Sequence, residues 1–208
     1  MNIRLVTMVL AAGIGVNGYA AEKTRVDVYL DDRDDSAELL RQGKVVAWGI
    51  FRQIGVGLIW HPVRSANGTE RSGFTIRLRE HAPDTAAPAA LASTRLEDFR
   101  GREITIYKDR LEGFVVSHPN LASVAAGYVM AHELAHAMQG IDRHSDSGIL
   151  KACWTRYDFE DMVYLKLNFT SADVALIHEG LTLQLPSRPG GPAGVGIAEL
   201  AVLGFPKR

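Results

Sequence analysis

Two rhythms of apolar residues alternate along this chain. Val26, Val28 and Leu30 alternate with Asp27 and Tyr29 and predict a strand. From Ser36 to Ile54 the spacing changes: Leu40, Ala47, Phe51 and Ile54 recur every three or four residues, flanked by Leu39, Val46 and Ile50. That period predicts a long helix with a broad buried face, entered from the acidic cluster Asp31–Asp35 and stopped at Gly55. Val56, Leu58 and Trp60 return to alternation. A strand, a helix and a strand in succession imply a parallel, right-handed unit. A third strand fits Phe74–Arg79, with Phe74, Ile76 and Leu78 inward and the arginines in water, after a polar loop from Pro62 to Ser72. Residues 81–90 read as loop and Leu91–Leu96 as a short edge strand. Arg102–Asp109, around Ile104–Tyr107, reads as another strand, joined to the edge strand by a turn at Asp98–Gly101.

The second half reads as helical. His118-Pro119-Asn120 suits a helix start, and the helix runs from Leu121 to Gln139 before Gly140, a residue fitted to a left-handed exit. Its many alanines, with Gly127, make it slim enough to pack closely against a sheet. Thr155 can cap a short helix through Leu165, and Thr170 or Ser171 another through about Leu183. From Pro186 the chain is rich in glycine and proline, which predicts a disordered tail over 186–208. The expected fold is α+β: a mixed twisted sheet of four or five strands, two long helices, and a small helical C-terminal part.

The chemistry concentrates on the second long helix. His132-Glu133-Leu134-Ala135-His136 is an H-E-x-x-H motif. Residues four apart share a helix face, so His132 and His136 can aim at one point, with Glu133 beside it but not a ligand. A catalytic zinc site takes three protein ligands and leaves one position open. His144 is the favoured third ligand, because Gly140 lets the chain reverse. Glu160, on the following helix, is the rival, and Glu179 a more distant one. His61, His81, His118 and His178 have no partner spacing and read as surface or capping residues.

Composition narrows the setting. Of 208 residues 47% are hydrophobic, enough for one packed domain, expected over 21–185. Basic and acidic residues nearly balance, 23 against 24, and no basic patch stands out, which argues against a nucleic-acid partner. The N-terminus differs from the rest: a short positive start, an apolar run from Leu5 to Val16, then small residues at Gly18 and Ala20. This reads as a signal peptide over 1–20, so the mature chain is expected to be exported, periplasmic or extracellular, without stable membrane insertion and monomeric. Cys153 is the only cysteine, so no intramolecular disulfide can form, and a buried inert thiol is the favoured reading of it.

The segment from His132 to Trp154, HELAHAMQGIDRHSDSGILKACW, resembles the metzincin clan of zinc endopeptidases. That clan's pattern is H-E-x-x-H-x-x-G-x-x-H with a methionine-containing turn beneath the metal. Here the glycine comes one residue later and the last histidine two. The spacing is more similar to a bacterial metzincin-like group reading H-E-x-x-H-x-x-x-G-x-x-x-H-S-x-x-G-I-M-[KR]-A-x-W. Ile50–Val56 with Trp60, and Ile106–Arg110, resemble the same group, so the likeness spans about 26–183. It implies one zinc per chain on His132, His136 and His144, Glu133 as base, a floor turn at Gly148-Ile149-Leu150 with leucine where that group has methionine, and a peptide or protein substrate. The peptide is expected to lie extended along the edge strand near Leu91–Leu96. An alternative from another class is a secreted zinc-containing binding or scaffold protein with little activity, against which Glu133 argues. A zinc hydrolase using Glu160 is the other.

Overall fold

The computed structural model describes residues 24–31, 37–63, 73–96, 102–184 and 196–202. The predicted signal segment, the acidic cluster Asp31–Asp35 beyond its first residue, and the turn at 98–101 lie outside these residues. Among the described residues, five α-helices and one mixed sheet make an α+β fold, as the pattern predicted.

The chain opens with β1 (Thr24–Leu30), α1 (Ala37–Gln53) and β2 (Val56–Pro62), and the two strands pair in parallel. Gly55, between helix and strand, has φ 77°, a conformation that costs glycine little. β3 (Phe74–Arg79) joins the other side of β1, also parallel, and β5 (Arg102–Tyr107) pairs parallel with β3. β4 (Ala90–Leu96) runs antiparallel to β5, the hairpin expected. Leu40, Ala47 and Phe51 of α1 are fully buried against Val28, Leu30, Ile76, Ile104 and Ile106 of the sheet in one continuous core.

After β5 come α2 (Lys108–Ser117), a single 3-10 turn at Pro119–Leu121, and α3 (Ala122–Gln139), which ends at Gly140 in the left-handed conformation, φ 71°. Its neighbour α1 comes very close. A Cβ on Gly127 would lie 2.4 Å from Val46 Cβ of α1, and one on Gly43 of α1 would lie 2.9 Å from the Gly127 nitrogen. Those contacts are shorter than carbon atoms tolerate, so glycine at both positions is a condition of the approach. Beyond α3 lie β6 (Cys153–Trp154), α4 (Arg156–Val163) and α5 (Ser171–Gln184). α4 starts with a reciprocal capping box between Thr155 and Asp158. None of the helices among the described residues is long and apolar enough to cross a membrane.

Three elements differ from expectation. α2 was not predicted: among its described side chains only Leu111 and Phe114 are buried, too few to print a helical period on the sequence. Within the stretch read as a disordered tail, Gly196–Val202 forms strand β7. β7 pairs antiparallel with β4, from Leu96↔Gly196 to Ala90↔Ala201, and parallel with β6 at Cys153↔Ala201 and Trp154↔Val202. β4 is therefore an interior strand rather than the edge. The order across the sheet is β2-β1-β3-β5-β4-β7-β6. The physical reason is the unpaired backbone of β4, which satisfies its amides and carbonyls by taking a partner.

Candidate metal centre

Every residue from Ala125 to Gln139 is buried, so α3 runs through the interior and carries His132, Glu133 and His136 with it. An apolar interior accepts such polar groups only when hydrogen bonds or a metal satisfy them. His132 Nδ1 donates to the Ile149 carbonyl at 2.8 Å, and His136 Nδ1 to the Ile141 carbonyl at 3.3 Å. A carbonyl only accepts, so each Nδ1 carries the ring hydrogen and each Nε2 keeps its lone pair. The two Nε2 atoms are 3.0 Å apart. Two lone pairs facing at that distance repel unless a cation lies between them. The separation is near the roughly 3.3 Å edge of a tetrahedron whose metal–nitrogen bonds are about 2.0–2.1 Å.

His144 completes the group. Ring nitrogens of His132, His136 and His144 all lie within 4.8 Å of one another, and no other set of three metal-type side chains does so among the described residues. His144 is half-buried, with its ring centroid 5.4 Å from that of His132 and 4.9 Å from that of His136. The three are close enough to hold one metal ion. Burial, and then the neighbouring His136, pushes the His132 imidazole well below its usual pKa; burial, and then His144, pushes His136 down to about 4. Both rings are thus neutral and able to ligate at physiological pH.

The loop that presents His144 is built from polar contacts. After Gly140 turns the chain, Ser145 N donates to the Leu150 carbonyl at 2.7 Å, and Ser145 bridges Lys151. Ile149 N donates to the Asn168 carbonyl at 3.1 Å. Gly148 sits at φ 77°, and a Cβ there would lie 2.4 Å from that same Asn168 oxygen, so only glycine fits. Ile149 and Leu150 are fully buried. The Ile149 carbonyl accepts a second bond, from Trp154 Nε1 at 3.2 Å, and the indole stands edge-on to His132 with ring centroids 5.8 Å apart.

Two residues without any distinctive sequence signal shape the site. Thr94 of β4 places its hydroxyl 2.5 Å from Glu133 Oε2, fixing the carboxylate beside the histidines. Asp173 of α5, fully buried, accepts from Ser145 Oγ at 2.5 Å and Arg143 Nη1 at 3.1 Å, and from Thr170 through both its hydroxyl and its backbone N–H. Burial alone would raise this carboxyl; the bonds from Ser145, Thr170 and Arg143 outweigh it and hold the group below the usual carboxylate range. Arg143 and Ser145 flank His144, so Asp173 ties the third histidine to α5. A Thr-x-x-Asp spacing at 170–173 signals a helix cap, and nothing local in the sequence points to residues some 30 positions earlier.

The rivals do not join the cluster. Glu160 is exposed on α4 and pairs with Arg156 at 3.1 Å, and Glu179 is exposed on α5. His61 pairs with Asp27 at 2.7 Å, His178 Nε2 bonds the Ile54 carbonyl, His118 stacks on Phe114, and His81 lies near Asp109. Cys153 is a half-buried free thiol in β6. No protein-family model, curated protein or solved structure matches the chain.

Proposed function

We propose that this protein is an exported zinc-dependent peptidase, with His132, His136 and His144 as ligands and Glu133 as general base. The observation that carries the reading is the combination of three converging imidazoles and one held, non-ligating carboxylate. A closed structural site fills all four positions from the protein, whereas three ligands leave room for water and substrate. Zinc as the ion follows from the all-histidine donor set and the H-E-x-x-H spacing.

A zinc ion held there supplies Lewis acidity, lowering the pKa of water and polarising a carbonyl. The chain's own residues do the rest. The carbonyls of Ile149 and Ile141 fix both helix imidazoles by their Nδ1 hydrogens, so the Nε2 atoms point inward without reorganisation. Glu133 takes a proton from the attacking water and passes it to the departing amine. Thr94 holds one carboxylate oxygen, limiting the rotation of the base.

Metal analysis of the purified chain should give about one zinc, and loss of zinc on replacing His144 but not Glu160 fixes the third ligand. Glu133→Ala should retain the metal and lower peptide hydrolysis by about 10²–10⁴-fold, or ~3–5 kcal/mol of barrier. Hydrolysis undiminished in that variant would remove Glu133 from the role.

A further inference from the structure

The strand laid against β4 runs between the two strands that flank the proposed reaction centre. Along β7, Ala198 is opposite Thr94, the residue whose hydroxyl bonds Glu133. Four residues on, Val202 is opposite Trp154, the residue whose ring lies against His132. β7 also lies against α3 itself. Along the sheet, residues 198–202 therefore span from the position of the residue that bonds the base to that of the residue whose ring lies against the first ligand. In keeping with a covered centre, His132, Glu133 and His136 have no solvent exposure.

An extended peptide adds to a sheet through main-chain hydrogen bonds on a strand edge. In this fold the two backbone tracks beside the histidines are β4 and β6, and β7 is paired with both, antiparallel to the first and parallel to the second. A substrate peptide using those tracks would have to take the place that β7 holds. The geometry points to Gly196–Val202 as a tethered occupant of the peptide-binding track, which excludes substrate until it is displaced. This inference rests on the peptidase reading for what is excluded, but not for the occupancy itself.

Competition sets the size of the effect. A tethered strand presents itself at an effective concentration on the order of 1 mM. Against a dissociation constant of about 100 µM for the untethered strand, occupancy holds activity roughly tenfold below its released value.

The test compares the zinc-loaded full chain with the full-chain double variant Ala198→Pro/Leu200→Pro, since proline removes ladder donors and fixes φ. Two rates are read: zinc extraction by EDTA, and hydrolysis of a fluorogenic extended peptide. Hydrogen exchange on the metal-free proteins verifies that α3 stays protected while the β4 amides open. A second arm adds a synthetic peptide of residues 196–202 to the variant. Extraction and hydrolysis both rising about tenfold, with the peptide returning both toward the wild-type values, is the expected result. Unchanged rates in a variant whose β4 amides have opened overturn the inference, as does a peptide that fails to restore protection. Should the variant lose α3 protection, the full chain with a protease site in the 185–195 linker, read before and after cutting, decides by the same rates. Faster extraction with no hydrolysis in either protein keeps the occupancy and sinks the peptidase reading.

Discussion

The site's two halves are held by different forces. His132 and His136 stand on a helix whose last fifteen residues are buried, locked by apolar packing and by a close helix crossing at Gly43 and Gly127. His144 stands on an irregular loop, half-buried, and its position depends on Asp173, on Gly148 and on backbone bonds to Asn168 and Leu150. Apolar packing is redundant, because losing one contact leaves many others. A polar loop is a short chain of separate bonds, each of which decides where the next residue lies. His144 is therefore the position where single substitutions would alter the proposed metal site without unfolding the protein.

Gly148→Ala gives the largest effect on the loop half. It forces an L side chain to φ 77° and drives Cβ against the Asn168 oxygen, costing about 3 kcal/mol and moving the floor under His132 and His144. The comparison sharpens when Gly127→Ala is measured alongside. That change should cost about 1–3 kcal/mol of global stability by overpacking, while the folded fraction keeps its zinc affinity. Zinc titration corrected for folded fraction separates the two, and equal losses of affinity would erase the distinction.

Asp173→Asn comes next, at about 2 kcal/mol from weakened bonds to Arg143, Ser145 and Thr170. Its pH dependence carries a sign. The folded carboxyl is held below its ordinary value, so its stabilisation is fully present above the unfolded carboxylate range and is lost as pH falls through the depressed folded value. Urea unfolding of wild type and variant should differ most near neutral pH and converge in acid. A gap that widened in acid would contradict the assignment.

How much of this was legible in the sequence follows the same division. β1, α1, β2, β3, β5 and α3 were readable because their buried faces repeat at a fixed period: Val26, Val28 and Leu30, then Leu40, Ala47 and Phe51. His132, Glu133, His136 and His144 were readable because helix spacing and a turning glycine act locally. Asp173 and Thr94 were not, since their partners lie 28 to 39 positions away and only the folded chain brings them together. β7 was hidden for a related reason. A short strand after a glycine- and proline-rich run declares itself only through the distant strand it pairs with.

Two smaller changes probe the helix half and the loop in turn. Thr94→Val leaves all three histidines in place and frees the Glu133 carboxylate to rotate. Hydrolysis should fall about tenfold in kcat, or ~1.4 kcal/mol, with zinc content and KM unchanged; a loss of zinc instead would make Thr94 a structural prop. Leu150→Met, a near-isosteric change at a fully buried position, should shift thermal stability by less than about 1 kcal/mol and leave activity within a few-fold.

The bonds that the helix imidazoles donate to the Ile149 and Ile141 carbonyls bear on the order in which such a metal site would be assembled. In a zinc finger the ion gathers its ligands and thereby folds the chain. Here the ring orientations are set by main-chain carbonyls, and the helix bearing them is set by a core of Phe51, Ile76, Ile104 and Leu134 that includes no ligand. On the proposed reading folding would come first and loading second. A metal ion would enter a cradle already shaped to receive it, and chelation would abolish hydrolysis while leaving the fold intact.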